Sequence, residues 1–259
     1  MSAFRVLLAD DHPIFRFGLS SLLESHEGWE VCGEAADGRD TVEKCRQLKP
    51  DLLILDICMP ELNGVDAARQ ILKHNPDQVI LVLTAVDSEQ VVRDCLAAGI
   101  RGWVFKSDAA DDLMTAVEAL QRHKTVFSSR VSDLILDGYK QHRTAPAAPN
   151  IPKLSPRERE VLQLVSEGKS SKEIAVSLNM SLATAETHRS NILRKLDLHS
   201  IAELVLYAVR NGIIHVHCPP ALPIPEMVAE RKRPVVPAGY AAFRKPRNSP
   251  ANLEPQGVN

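Results

Sequence analysis

The chain has 259 residues, enough for one large or two small domains, and its 44% hydrophobic and 25% charged content is that of a globular protein. No apolar run approaches the roughly 18 residues of a membrane span, and the opening MSAFRVLLADDHP meets acids and a proline too early for a secretory signal, so a cytoplasmic location is the default expectation. The net charge of −2 divides unevenly: residues 1–137 carry 14 basic and 23 acidic groups (−9) and the rest carry 17 and 10 (+7), a weak pointer to nucleic acid for the second half.

In chain order, short runs rich in Val, Ile and Leu occur at Phe4–Ala9, Val31–Ala35, Leu52–Leu55, Val79–Leu83 and Gly102–Phe105, and read as buried strands. Helical stretches are predicted between and after them, near 13–25, 38–48, 64–74, 88–98 and 109–122. Five such β/α pairs argue for a parallel sheet covered by helices on both faces. Val131, Leu134 and Ile135 suggest a linking helix over about 128–140, and RTAPAAPNIP after it reads as a domain linker.

Residues 154–215 carry the signals of four helices. Ser155-Pro156 with Glu158 forms a capping box for the first helix, which buries Val161, Leu162 and Val165 and ends at Gly168. A short helix over Ser171–Leu178 buries Ile174, Ala175 and Leu178. After the turn at Asn179-Met180-Ser181, a third helix to about Leu196 buries Ala185, Ile192 and Leu196. It exposes Glu186, Thr187, Arg189, Ser190 and Arg194. The fourth, near Ser200–Asn211, carries Leu204, Leu206, Tyr207 and Val209. Two short helices joined by a tight turn, with the second polar outside, suit a helix-turn-helix. Residues 219–259 hold nine of the 17 prolines and a charge of +3, a pattern expected of a disordered tail. Five cysteines without a C-x-x-C pair (Cys32, Cys45, Cys58, Cys95, Cys218) fit neither a zinc site nor a disulfide framework; reduced, mostly buried thiols are expected.

Binding groups in an open parallel sheet gather at the carboxyl ends of its strands. The residues ending the runs here are Asp10 and Asp11, Asp56, Thr84 and Lys106. Three converging carboxylates repel one another and call for a hard cation such as Mg²⁺. A carboxylate held by Mg²⁺ and an ammonium can attack a phosphoryl group and become an acyl phosphate.

DDHP (10–13), LDICMPELNG (55–64), the Thr84-Ala85 pair and GWVFK (102–106) resemble the receiver domain of NarL/FixJ-type response regulators over roughly residues 4–122. The resemblance implies a flavodoxin-like (βα)₅ fold and phosphoryl transfer from a sensor histidine kinase to Asp56. It also implies Mg²⁺ held by Asp10, Asp11, Asp56 and the Cys58 backbone carbonyl, with Thr84 and Lys106 contacting the phosphoryl group. Trp103 stands where the family carries an aromatic switch residue; a half-buried structural indole is the equal alternative.

LSPREREVLQLVSEGKSSKEIA followed by THRSNILRKL is similar to the LuxR-type helix-turn-helix. That similarity implies phosphate contacts from Lys172, Arg189, Arg194 and Lys195 and base-edge contacts from Glu186, Thr187 and Ser190, with Thr184 and His188 in the same interface. Ala183 stands where the family often has a lysine, and Ala185 where it has a larger apolar group, which bears on affinity.

The implied organisation is a receiver domain (1–124), a linker (125–152), a LuxR-type domain (153–216) and a Pro-rich basic tail (217–259). The expected function is a transcription regulator rather than an enzyme, with promoter DNA as partner and a homodimer forming on phosphorylation. A signalling adaptor whose helical module binds protein is the runner-up, and a phosphate-ester hydrolase a remote third.

Overall fold

The computed structural model describes residues 3–129, 131–133 and 154–214. The Pro/Ala linker, most of the proposed linking helix, Cys218 and the tail lie outside the described residues. Strands β1 (Phe4–Ala9), β2 (Trp29–Ala35), β3 (Leu52–Leu55), β4 (Val79–Thr84) and β5 (Gly102–Phe105) alternate with helices α1 (Pro13–Glu24), α2 (Gly38–Leu48), α3 (Gly64–His74), α4 (Glu89–Ala98) and α5 (Ala109–Gln121). These elements fall within two residues of the ranges predicted from the sequence. A short sixth strand, β6 (Val126–Phe127), adds a parallel edge that a two-residue run does not announce.

All the pairings are parallel, in the order β2-β1-β3-β4-β5-β6. The inner strands are buried on both faces, and alternate residues feed two separate cores. Leu7, Leu53, Leu55, Val82, Trp103 and Phe105 join the layer with α2, α3 and α4. Val6, Leu8, Leu52, Ile54, Leu81 and Val104 join the layer with α1 and α5. Strand order reverses around β1 and β3, and the crevice at that switch point opens beside the ends of both strands.

Residues 154–214 form a second helical layer: α6 (Pro156–Ser166), α7 (Ser171–Ser177), α8 (Leu182–Leu196) and α9 (Ile201–Arg210). Each is started by a serine. Ser155 and Ser170 form capping boxes with Glu158 and Glu173, and Ser181 and Ser200 accept from the backbone N–H groups of Thr184 and Glu203. The predicted core residues Val161, Leu162, Val165, Ile174, Ala175, Leu178, Ala185, Ile192 and Leu204 are buried, while Leu196 is half-buried. Of the apolar residues on α9, Leu204 and Ala208 face the core, and Leu206 faces outward at 54% exposure. Leu204 and Leu206 are two positions apart, a spacing that places them on different sides of a helix. Among the described residues no helix is long and apolar enough to cross a membrane.

Gly64 opens α3 directly behind β3, and a Cβ there would meet the Asp56 carbonyl oxygen at 2.1 Å. Gly64→Ala must therefore push helix and strand apart. A loss of about 1–3 kcal/mol is expected in urea unfolding. Gly18→Ala, whose Cβ meets nothing within 4 Å on α1, should be neutral or slightly stabilising because alanine restricts the unfolded chain more than glycine.

Candidate functional site

The ends of β1, β3, β4 and β5 bring together the residues their sequence positions suggested. Asp10 and Asp56 are each only 2% exposed, Thr84 is fully buried, and Asp11 is half-buried. Lys106 Nζ lies 2.7 Å from Asp10 Oδ2 and 2.7 Å from Asp56 Oδ2. Phe15 of α1 lies beneath the same ammonium, with its ring centre 4.8 Å away, a cation–π contact. Burial by itself would lower the lysine's pKa, but the adjacent Asp56 and Asp10 carboxylates outweigh it and raise it.

Asp56 Oδ1 accepts from the backbone N–H groups of Ile57 (2.6 Å) and Cys58 (3.3 Å). Thr84 Oγ1 accepts from the Val86 N–H at 3.2 Å. Trp103 is 1% exposed, edge-on to Phe105, and its indole nitrogen is buried with no hydrogen-bond partner. The indole is therefore fully buried, beyond the half-buried alternative.

Asp10, Asp11, His12 and Asp56 each offer a ligand atom, all within 4.8 Å of one another. Three carboxylates face a single lysine, so negative groups outnumber positive ones in the cluster. Oxygen donors carrying excess negative charge in a buried setting fit Mg²⁺, a hard cation. Sequence reasoning gave His12 no role, although its place directly after Asp11 was visible; its Nδ1 lies 2.6 Å from Asp11 Oδ1. An open cavity of about 750 Å³, lined by Phe15, Leu19, Leu22, Cys58 and Val86 among others, leads to Asp56 and Lys106.

In the loop between β3 and α3, the sequence marks Asp56 and the Cys58 carbonyl but no role for residues 59–63. Asn63 caps α3 by accepting from the Asp66 N–H at 2.9 Å. Gln163 of α6, 1% exposed, reaches into the same loop. Nothing in the sequence marks this partnership, because the two residues lie 100 positions apart.

On the helical layer, Lys172, Thr184, Glu186, Thr187, Ser190, Arg194 and Lys195 are exposed, and His188 and Arg189 are half-buried. Arg189 donates to Ser171 Oγ at 2.5 Å. Lys195 is drawn to Glu158, Nζ to Oε1 being 2.8 Å. Burial would raise the Glu158 pKa, but bonds from Lys195 and Ser155 more than offset it and hold the carboxyl below the usual range.

Removing one partner of a buried ion pair strands the other. Lys106→Met should cost about 3–5 kcal/mol without divalent cation, and added Mg²⁺ should recover part of that loss in thermal unfolding. Because folding raises the Lys106 pKa, its wild-type contribution is present at neutral pH and disappears as pH rises through the folded-state value. The cysteines give a second check. Burial pushes the Cys45 thiol up to about 11. Burial and then the Asp56 carboxylate push Cys58 higher. Because the thiolate is the reactive form, mass spectrometry should find Cys45 and Cys58 resistant to iodoacetamide at neutral pH in the folded chain and alkylated in denaturant.

The chain matches the response regulator receiver domain over residues 6–118 and the bacterial regulatory proteins of the luxR family over residues 152–208. It is 35% identical over 210 residues to the transcriptional regulatory protein MctR of Rhizobium johnstonii, spanning 81% of this chain and 95% of that protein. It is also 35% identical to the response regulator protein VraR of Staphylococcus aureus, over 81% of this chain and 98% of the relative. Among solved structures, the RcsB response regulator of Salmonella typhimurium is 31% identical with a TM-score of 0.56, covering 82% of this chain and 99% of that one. RcsB of Salmonella enterica serovar Typhimurium bound to promoter rprA with the phosphomimetic BeF3⁻ is 32% identical with a TM-score of 0.53, covering 80% and 98%. Receiver fold, helix-turn-helix layer and full-length relatives agree: the chain belongs to the NarL/LuxR-type two-component response regulators, transcription regulators rather than enzymes.

Proposed function

We propose that Asp56 accepts a phosphoryl group from a sensor histidine kinase in a Mg²⁺-dependent pocket, and that the phosphorylated chain, as a homodimer, binds double-stranded promoter DNA through α8. On this reading residues 1–124 are the receiver domain and 153–216 the DNA-binding domain, acting in the cytoplasm.

The observation that carries the first half is Asp56 itself: a buried carboxylate, paired with Lys106 and grouped with two more carboxylates, at the mouth of an open cavity. In the transfer, one Asp56 carboxylate oxygen forms the new O–P bond as the P–N bond to the donor imidazole breaks. The electron pair of that bond returns to the imidazole nitrogen, which takes a proton. Lys106 then faces the phosphoryl oxygens it helped to stabilise. Thr84 turns its hydroxyl from the Val86 N–H toward the new group. Asp10, Asp11, Asp56 and the Cys58 carbonyl would hold Mg²⁺, which supplies charge neutralisation for the transferring oxygens. Ile14 and Phe17 on α1 stand 88% and 74% exposed, and Ile14 also lines the cavity leading to Asp56. An apolar rim beside the acceptor supports a protein as phosphodonor.

Trp103 supports a switch. A buried N–H without an acceptor costs about 1–3 kcal/mol, and the indole shares one core with neighbours of the site. Movement of Thr84 gives that indole a reason to repack.

For the second half, the exposed face of α8 presents Thr184, Glu186, Thr187 and Ser190 to base edges, with Lys172, Arg189 and Arg194 flanking them for phosphates. Lys195 contributes only after leaving Glu158. DNA selected from a random pool, with and without a small-molecule phosphodonor, tests both halves. Wild type should gain affinity with the donor, and Asp56→Asn should not. Log affinity should fall linearly with log salt, and Lys172→Ala should flatten that slope by about one per site while leaving sequence preference intact. A response to phosphodonor that survives in Asp56→Asn, or output binding insensitive to salt, contradicts the reading; the latter favours a protein-binding adaptor.

A further inference from the structure

α6 meets the α/β layer at α2 and α3, where Glu160 bonds Arg39 and Gln70 and Arg159 bonds Asp66, and at the loop between β3 and α3. Gln163 Oε1 accepts from the Asn63 backbone N–H at 2.8 Å and from Asn63 Nδ2 at 3.1 Å. Its Nε2 donates to the Met59 carbonyl at 3.0 Å and to Glu167 Oε1 at 2.8 Å. Glu167 Oε1 in turn accepts from the Glu61 N–H at 3.2 Å, and Lys169 Nζ lies 2.7 Å from Glu61 Oε1. Three side chains of the helical layer thus hold residues 59–63, the stretch directly following Asp56 and Cys58. Glu61 sits at φ 64, a left-handed conformation that a non-glycine residue keeps only when its surroundings enforce it.

The contact also adjoins the acidic cluster. A cavity of about 150 Å³ is lined by Asp11, Cys58 and Met59 together with Glu167, Ile213 and Ile214. Burial raises the Glu167 pKa. The outward face of α8 takes no part in this contact; Thr184, Glu186, Thr187 and Ser190 remain exposed while α6 is docked. Steric masking of the reading helix is therefore not what the docked arrangement achieves.

We propose that the helical layer is a positioning element for the divalent-cation site: docking of α6 through Gln163 and Glu167 fixes the 57–63 loop, so that cation binding and domain docking strengthen one another. The proposal rests on Asp10, Asp11, Asp56 and the Cys58 carbonyl forming that site. Holding the loop in advance removes ordering entropy that binding would otherwise cost. By linkage, whatever factor docking contributes to Mg²⁺ affinity, Mg²⁺ returns to docking.

The test titrates Mg²⁺ into the full-length, unphosphorylated chain by calorimetry, for wild type, Gln163→Ala and Arg159→Ala. Arg159 Nε lies 2.8 Å from Asp66 Oδ1, so its loss weakens docking without touching the loop or the cation ligands. Both variants should raise the Mg²⁺ Kd at least about fivefold, the lower end of ordinary coupling between sites. In wild type, Mg²⁺ should slow hydrogen exchange of the Asn63 amide; in Gln163→Ala, which lacks the acceptor, that protection should shrink. Circular dichroism separates a folded variant from an unfolded one, and Arg159→Ala with the wild-type exchange data carries the test if Gln163→Ala does not fold. Equal Kd values in wild type and folded variants overturn the coupling alone. An absence of saturable Mg²⁺ binding by wild type removes the cation site and this inference together.

Discussion

Lys106 Nζ bridges Asp10 and Asp56 at 2.7 Å to each, which ties the ends of β1, β3 and β5 together. Two carboxylates at 2% exposure cannot both remain charged in a low-dielectric setting without a countercharge. One lysine supplies part of it, and Phe15 steadies the ammonium from below. Asp11 adds a third carboxylate to the same cluster, and on the proposed reading a divalent cation balances it. Stability and function thus draw on one unbalanced cluster, whose best-satisfied state has a cation present.

The backbone around the cluster is equally constrained. β3 delivers Asp56, the chain bends through residues 57–63, and α3 starts where Gly64 lets the helix approach the Asp56 carbonyl. The same bend receives Gln163, Glu167 and Lys169 from the helical layer. Asp56 is therefore one short loop away from side chains of the helical layer.

Much of this was legible in the sequence, for definable reasons. Strands buried on both faces appear as continuous apolar runs, so β1, β3 and β5 match their predicted limits, and the sheet topology makes their ends converge. Ser155 announces α6 because a capping box is a local device. β6 was missed because two residues carry no periodicity. Which apolar residues of α9 face inward is settled by packing: Leu204 and Ala208 are buried and Leu206 is exposed. The bonds of Gln163, the contact of Phe15 with Lys106 and the Lys195–Glu158 pair depend on folding that brings distant segments together, and no local pattern encodes them. Ala185 is fully buried in the helical core, in keeping with the sequence reading of a small core residue beneath the reading helix.

The central claim is that Asp56, and no other residue, becomes an acyl phosphate. After incubation with a small-molecule phosphodonor and Mg²⁺, borohydride reduction should convert that residue alone to homoserine, placed by peptide mass spectrometry at position 56. Label at another residue, or phosphate bound with Asp56 unchanged, would contradict the account.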